Sequence, residues 1–174
     1  RKTFDIPIVG IEPSIKPAIT ETKTNNIGVL ATEKTLSSNL FLETSNKFSS
    51  GVKIHEQIGY DLVSIIEENG IDEELLEEKL KKYIQPMLKK NIDHLVLGCT
   101  HYYYLIDILR NIVPSSIKIL DPSKAVTKRV QHILKANNIK TNTLKTKNEF
   151  LFTGSDLIIR KFISAKHKIA KITI

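Results

Sequence analysis

The chain has one cysteine in 174 residues, so it closes no internal disulfide, and a reducing cytoplasm is its natural compartment. No apolar run approaches the roughly 20 residues that span a bilayer, which leaves no membrane-embedded role to expect. Arg1-Lys2-Thr3-Phe4-Asp5 leads into a short apolar segment and does not read as a secretory signal. A metal site is not expected either. There is no second thiol, and His55, His94, His132 and His167 are scattered without ligand spacing. Each of those four reads as a surface or capping histidine. No internal repeat is present.

Acidic charge is comparatively scarce: 26 Lys and Arg stand against 19 Asp and Glu, a formal net charge of +7. A basic excess can mark a nucleic-acid partner. Here the cations are spread singly, densest from Lys118 onward, without interleaved aromatics or a nucleic-acid motif. The excess therefore reads as lysine-rich composition, and no nucleic-acid partner is expected. A hydrophobic fraction of 41% with 26% charged residues suits a soluble globular chain.

Strand-like and helix-like runs alternate, which argues for α/β layers. Strands are expected over 6–11, 27–31, 52–54, 93–97, 117–120 and 149–153, with an edge strand over 169–174. Helices are expected over 14–22, 36–48, 72–90, 102–112, 123–136 and 157–165. The run Leu62-Val63-Ser64-Ile65-Ile66-Glu67 is too short for its period to separate helix from strand. The helix from Asp72 is the clearest. Leu76, Leu80, Tyr83, Ile84, Met87 and Leu88 recur along one stripe, Asp72 is its N-cap, and Glu77 with Lys81 is a favourable i,i+4 pair. Ser123 is the expected N-cap of the helix that follows Asp121-Pro122.

The chemistry concentrates at Gly98-Cys99-Thr100-His101, between the apolar strand Leu95-Val96-Leu97 and the helix-like Tyr102-Tyr103-Tyr104-Leu105-Ile106. Strand-to-helix corners are where α/β proteins place ligands. A thiol is strongly nucleophilic or basic only as thiolate, and a helix N-terminus favours that anion. His101 is placed to stabilise the thiolate or relay its proton, and Thr100 offers a hydroxyl and an N–H to an anion. The competing reading of Cys99 is a small buried hydrophobe. Glu67, at the end of its apolar run, reads locally as a helix-end acid. Thr32 and Thr35 could line a cleft or form a capping pair, with Thr35 capping the next helix. A cysteine hydrolase is disfavoured because no acid stands at a persuasive spacing from His101 and no oxyanion-hole motif is present.

Leu97-Gly98-Cys99-Thr100-His101-Tyr102 resembles the L-G-C-T-H-Y signature of bacterial glutamate racemases, in the aspartate/glutamate racemase superfamily. The segments Ile6–Ala18, Ile27–Thr35, Leu62–Glu67, Ile119–Ser123 and Phe152–Ser155 resemble further family segments in the same order. Departures are Tyr103 and Ser64, where the family usually has proline, and Ile58-Gly59-Tyr60, where many members read A-C-P.

The resemblance implies a fold of two similar three-layer α/β domains with mostly parallel sheets and an active site between them. Residues 12–121 would form the complete domain carrying the Cys99 half-site. Residues 1–11 and 122–174 would form part of the other, which lacks its opening elements and exposes apolar surface. It also implies a cofactor-independent racemase interconverting L- and D-glutamate with two thiols on opposite faces of Cα, supplying D-glutamate for peptidoglycan. Cys99 would be one of the two proton-transfer groups, Thr100 a ligand of the substrate carboxylate, His101 the assistant of the cysteine, Glu67 an acid tuning proton transfer, and Thr32 and Thr35 cleft residues. The family's first cysteine has no counterpart here, and the chain opens on Arg1, so an N-terminally truncated and by itself inactive piece is expected. A homodimer is compatible with the resemblance. The alternatives are a racemase for another acidic amino acid, a single-thiolate relative, or a truncated protein that only binds.

Overall fold

Four parallel strands make the main sheet: β1 (Asn26–Ala31), β2 (Lys53–Ile58), β3 (His94–Gly98) and β4 (Lys118–Leu120). They lie in the order β2-β1-β3-β4, with Asn26 opposite Lys53, Ile27 opposite His94, and His94 opposite Lys118. The computed structural model describes residues 4, 6–48, 51–69, 71–139, 149–154, 160, 163 and 167–173. The helices are α1 (Ile15–Glu21), α2 (Glu33–Leu36), α3 (Asn39–Phe48), α4 (Leu62–Asn69), α5 (Glu73–Leu88), α6 (Ile106–Ile112) and α7 (Ser123–Ala136), with a 3₁₀ turn over Thr100–Leu105. A separate parallel pair joins β5 (Glu149–Phe152) to β6 (Lys168–Lys171).

The central strands are apolar on both faces because helices cover both. Side-chain alternation sorts them into two cores. Ile27, Val29, Ala31 and Val96 pack with Ile15, Ala18, Leu36 and Phe41. Leu30, Leu95 and Leu97 pack with Leu62, Ile66, Leu76, Leu80, Ile84, Tyr102, Leu105 and Leu109. This is a three-layer arrangement, with α1 and α3 on one side and α4, α5 and α6 on the other. Each fully buried Leu or Ile contributes about 1.5–3 kcal/mol of transfer free energy.

The α5 stripe buries Leu76, Leu80, Ile84 and Met87, Asp72 caps it by accepting from the Leu75 N–H at 3.1 Å, and Glu77 pairs with Lys81 at 2.5 Å. Other expectations need correction. Residues 6–13 form neither strand nor helix. The expected helix over 36–48 is broken at Ser37-Ser38, because the Ser38 hydroxyl caps α3 by accepting from the Phe41 N–H at 3.2 Å. The weak strand over 52–54 is a six-residue strand, its ladder with β1 running to Ile58. Residues 62–69 are helical. Asp121, not Ser123, satisfies the start of α7, its carboxylate accepting the Ser123 N–H at 2.8 Å. The helix expected over 157–165 lies almost wholly outside the described residues.

His94 is no surface histidine. It is 6% exposed at the foot of β3, with Nδ1 2.7 Å from the Asp93 carboxylate. Outside the two cores, Phe4, Ile6, Ile8, Ile11, Val130, Ile139, Leu151 and Ile172 are exposed, and α7 buries no residue.

Candidate functional site

In a sheet of order β2-β1-β3-β4 the chain leaves β1 toward β2 and returns past it to β3. The carboxyl ends of β1 and β3 therefore open a crevice at the point where the winding reverses. Thr32 and Thr35 follow β1, and Cys99 and Thr100 follow β3, so both segments meet there. A cavity of about 340 Å³ lies at this end, lined by Thr35, Cys99 and Thr100 with Glu12, Lys34 and Ser38 among others. A second, of about 220 Å³, adjoins it past Tyr103, Asp121 and Pro122, and shares Cys99 and Thr100.

Thr32 and Thr35 act together. Thr32 is the N-cap of α2, accepting from the Thr35 N–H at 3.3 Å, and the two hydroxyls lie 3.0 Å apart. Capping therefore falls to Thr32 rather than Thr35, and only Thr35 reaches the cavity wall.

Gly98 sets how closely β3 approaches β1. It faces Ala31 in register, and a Cβ on it would lie 2.5 Å from the Ala31 Cβ. Neither atom sits on a flexible chain, so the strands themselves would have to part. Gly98→Ala is expected to cost about 1–3 kcal/mol in urea unfolding. A variant as stable as the parent would remove this account of the glycine.

Cys99 begins the 3₁₀ turn and is half-buried. Its Sγ lies 3.9 Å from Nδ1 of His101, and Nε2 of His101 lies 2.7 Å from Oε1 of Glu67 on α4. A carboxylate only accepts, so Nε2 carries a proton toward Glu67, and Nδ1 is the ring nitrogen that faces the thiol. The three groups form a relay in which His101 can take the thiol proton and Glu67 can stabilise the resulting imidazolium. Glu67 is thus the partner acid for His101 that sequence spacing does not reveal, and that objection to a cysteine nucleophile falls.

The thiol itself departs from expectation. Burial pushes its pKa up, the N–H groups of His101 and Tyr102 act in the opposite direction, and the Glu67 charge adds to the rise. The net direction is upward, because a short 3₁₀ turn offers little dipole against desolvation. Burial thus favours the thiol form of Cys99, and His101 Nδ1 is the nitrogen within reach of its proton.

Among the described residues, no group of three or more His, Cys, Asp or Glu is placed to hold a metal ion. No helix among them is long and apolar enough to cross a membrane. Sequence reasoning missed Glu12, Lys34 and Ser38, which line the same cavity as Cys99. Only Ser38 carried a signal, three residues beyond Thr35 on the same exit from β1.

A doubly wound α/β fold with a thiol, imidazole and carboxylate in series at its switch point defines a class of proton-transferring or thiol-dependent enzymes. The chain belongs to the Asp/Glu/Hydantoin racemase family, whose model matches residues 1–130. It is 35% identical over 165 residues to a glutamate racemase of Ralstonia pickettii, covering 95% of this chain and 58% of that protein. It is 34% identical over 157 residues to one from Pseudomonas putida, covering 90% of this chain and 59% of that protein. The chain thus spans somewhat under two thirds of the length of these relatives. Among solved structures, the Escherichia coli glutamate racemase in complex with L-glutamate and the activator UDP-MurNAc-ala superposes with a TM-score of 0.80 at 25% identity, covering 99% of this chain and 67% of that one. The Bacillus anthracis isoform RacE1 superposes equally well at 24% identity, a likeness of fold.

Proposed function

We propose that this chain carries one of the two proton-transfer groups of a glutamate racemase, which interconverts L- and D-glutamate in the cytoplasm and supplies D-glutamate for peptidoglycan. The observation that carries the reading is the Cys99–His101–Glu67 series beside a cavity at the β1/β3 switch point. In one direction His101 takes the proton of the Cys99 thiol, and the thiolate removes the proton from Cα of the bound amino acid. In the other direction the thiol returns a proton to the same face. Thr100 and Thr35 are the proposed ligands of the substrate's carboxylate.

Inversion needs a second group on the opposite face of Cα. With one cysteine among 174 residues, a second thiol must come from polypeptide outside them. Residues 12–121 are proposed as the unit that carries the Cys99 face, with 1–11 and 122–174 belonging to its neighbour.

Deuterium incorporation at Cα tests this. Each glutamate enantiomer is incubated in deuterium oxide with the 174-residue chain and with the protein extended upstream of Arg1. The extended protein should exchange and invert both enantiomers, and prefer them to aspartate. The chain alone should not invert either. Inversion by the chain alone at an ordinary enzymatic rate, about 1 s⁻¹ or more, would refute the one-face reading. Absence of exchange in the extended protein would refute the racemase.

A further inference from the structure

We infer that Tyr102 is a positioning residue for Cys99, fixing the thiol's turn through a buried hydrogen bond to the main chain at Gly59. This rests on the racemase reading only for the use made of the thiol.

Three hydrogen bonds run in series across the carboxyl ends of the central strands. The Gly59 N–H donates to the Ala31 carbonyl at 2.9 Å, the Tyr102 hydroxyl donates to the Gly59 carbonyl at 3.0 Å, and the Tyr102 N–H donates to the Cys99 carbonyl at 3.1 Å. The exits of β1, β2 and β3 are tied together in this way, and Cys99 stands at the last link. Tyr102 is fully buried, so its hydroxyl has lost its hydration and the hydrogen bond to Gly59 is what offsets that loss. That cost holds the ring in one place.

Gly59 makes the approach possible. A Cβ at this position would lie 2.4 Å from the Tyr102 hydroxyl and 2.7 Å from Cδ1 of Leu62. The phenol therefore occupies the space a side chain would fill.

Cys99 needs such an anchor. Its turn is 3₁₀, where hydrogen-bond geometry is poorer than in an α-helix, and its side chain makes no capping bond. The Tyr102 N–H also leans the thiol toward thiolate, against the burial that pushes it up. Freeing the ring would let that N–H drift and leave burial to act with less opposition.

Cys99 is the only thiol, so alkylation reports on it alone. The pH dependence of iodoacetamide alkylation is measured on the parent, Tyr102→Phe and Gly59→Ala, with urea midpoints alongside. Tyr102→Phe should raise the alkylation midpoint by about one pH unit, slowing the reaction near tenfold at pH 8. Gly59→Ala, which displaces the hydroxyl without deleting it, should shift it the same way. Parental alkylation in a folded Tyr102→Phe would overturn the proposal and leave Tyr102 a packing residue. Should that variant not fold, amide exchange in the parent decides. The Gly59 and Tyr102 amides should lose protection together when Cys99 is carboxymethylated, and independent behaviour overturns the proposal. Thiol reactivity is read without turnover, so this result stands apart from any failure of the racemase assignment.

Discussion

Replacing Cys99 by serine in the extended protein is expected to abolish racemisation while stopping Cα deuterium exchange for only one glutamate enantiomer. A hydroxyl is a far weaker acid than a thiol, so serine cannot be deprotonated by His101 at neutral pH. The general-base contribution of about 10²–10⁴ in rate is lost on that face. The opposite face keeps its own base and still removes a proton from the other enantiomer, but nothing returns a proton from the Cys99 side. The rate at which optical rotation decays should fall by about 10³-fold, and mass spectrometry of recovered glutamate should find exchange in one enantiomer alone. Unchanged exchange in both would sink the role given to Cys99. Loss in both would place the residue in binding or folding rather than in proton transfer.

His101→Gln separates the relay from the thiol. The thiol remains but has no Nδ1 lone pair to accept its proton, so exchange on that face should become strongly pH-dependent. It should recover as the pH rises toward the elevated pKa of Cys99, because hydroxide then does what His101 does in the parent.

Much of this was legible in the order of residues, for physical reasons. The apolar run Leu95-Val96-Leu97 ahead of Gly98 marks a strand covered on both faces, and the α5 stripe and its Asp72 cap follow from helical spacing. Local chemistry put the thiol at a strand exit, and the structure places it there. Glu67 could not be paired with His101 by spacing, because 34 residues separate them and the sheet brings them together. The upward direction of the Cys99 pKa is hidden from the sequence for a related reason. A helix terminus is visible in sequence, whereas the packing that desolvates Cys99 is made by residues far along the chain. Residues 6–11 read as a strand by composition, but among the described residues no ladder partner meets them, and apolar alternation alone does not make a strand.

Asp93→Ala is expected to be the most destabilising polar substitution, lowering stability at neutral pH by about 3 kcal/mol in urea unfolding. The carboxylate accepts from the Thr22 hydroxyl at 2.7 Å, the Lys23 N–H at 2.6 Å and the Thr24 N–H at 3.0 Å, and lies 2.7 Å from Nδ1 of His94. The Asp93 main chain bonds to Asn26 and Lys118, so one residue joins the loop after α1 to β1, β3 and β4. Alanine would leave four donors without their acceptor. Burial alone would raise the Asp93 pKa. The hydrogen bonds from His94, Lys23, Thr22 and Thr24 outweigh it and hold the group well below the usual carboxylate range. The sign of the pH dependence follows. A depressed folded-state pKa stabilises fully above the unfolded value of about 3.9, and that contribution fades as the pH falls below it, by about 1.4 kcal/mol per unit. The gap between parent and variant should therefore hold steady from pH 7 to 5 and narrow below pH 4. A gap that stays constant down to pH 3 would mean that Asp93 acts by shape and not by charge.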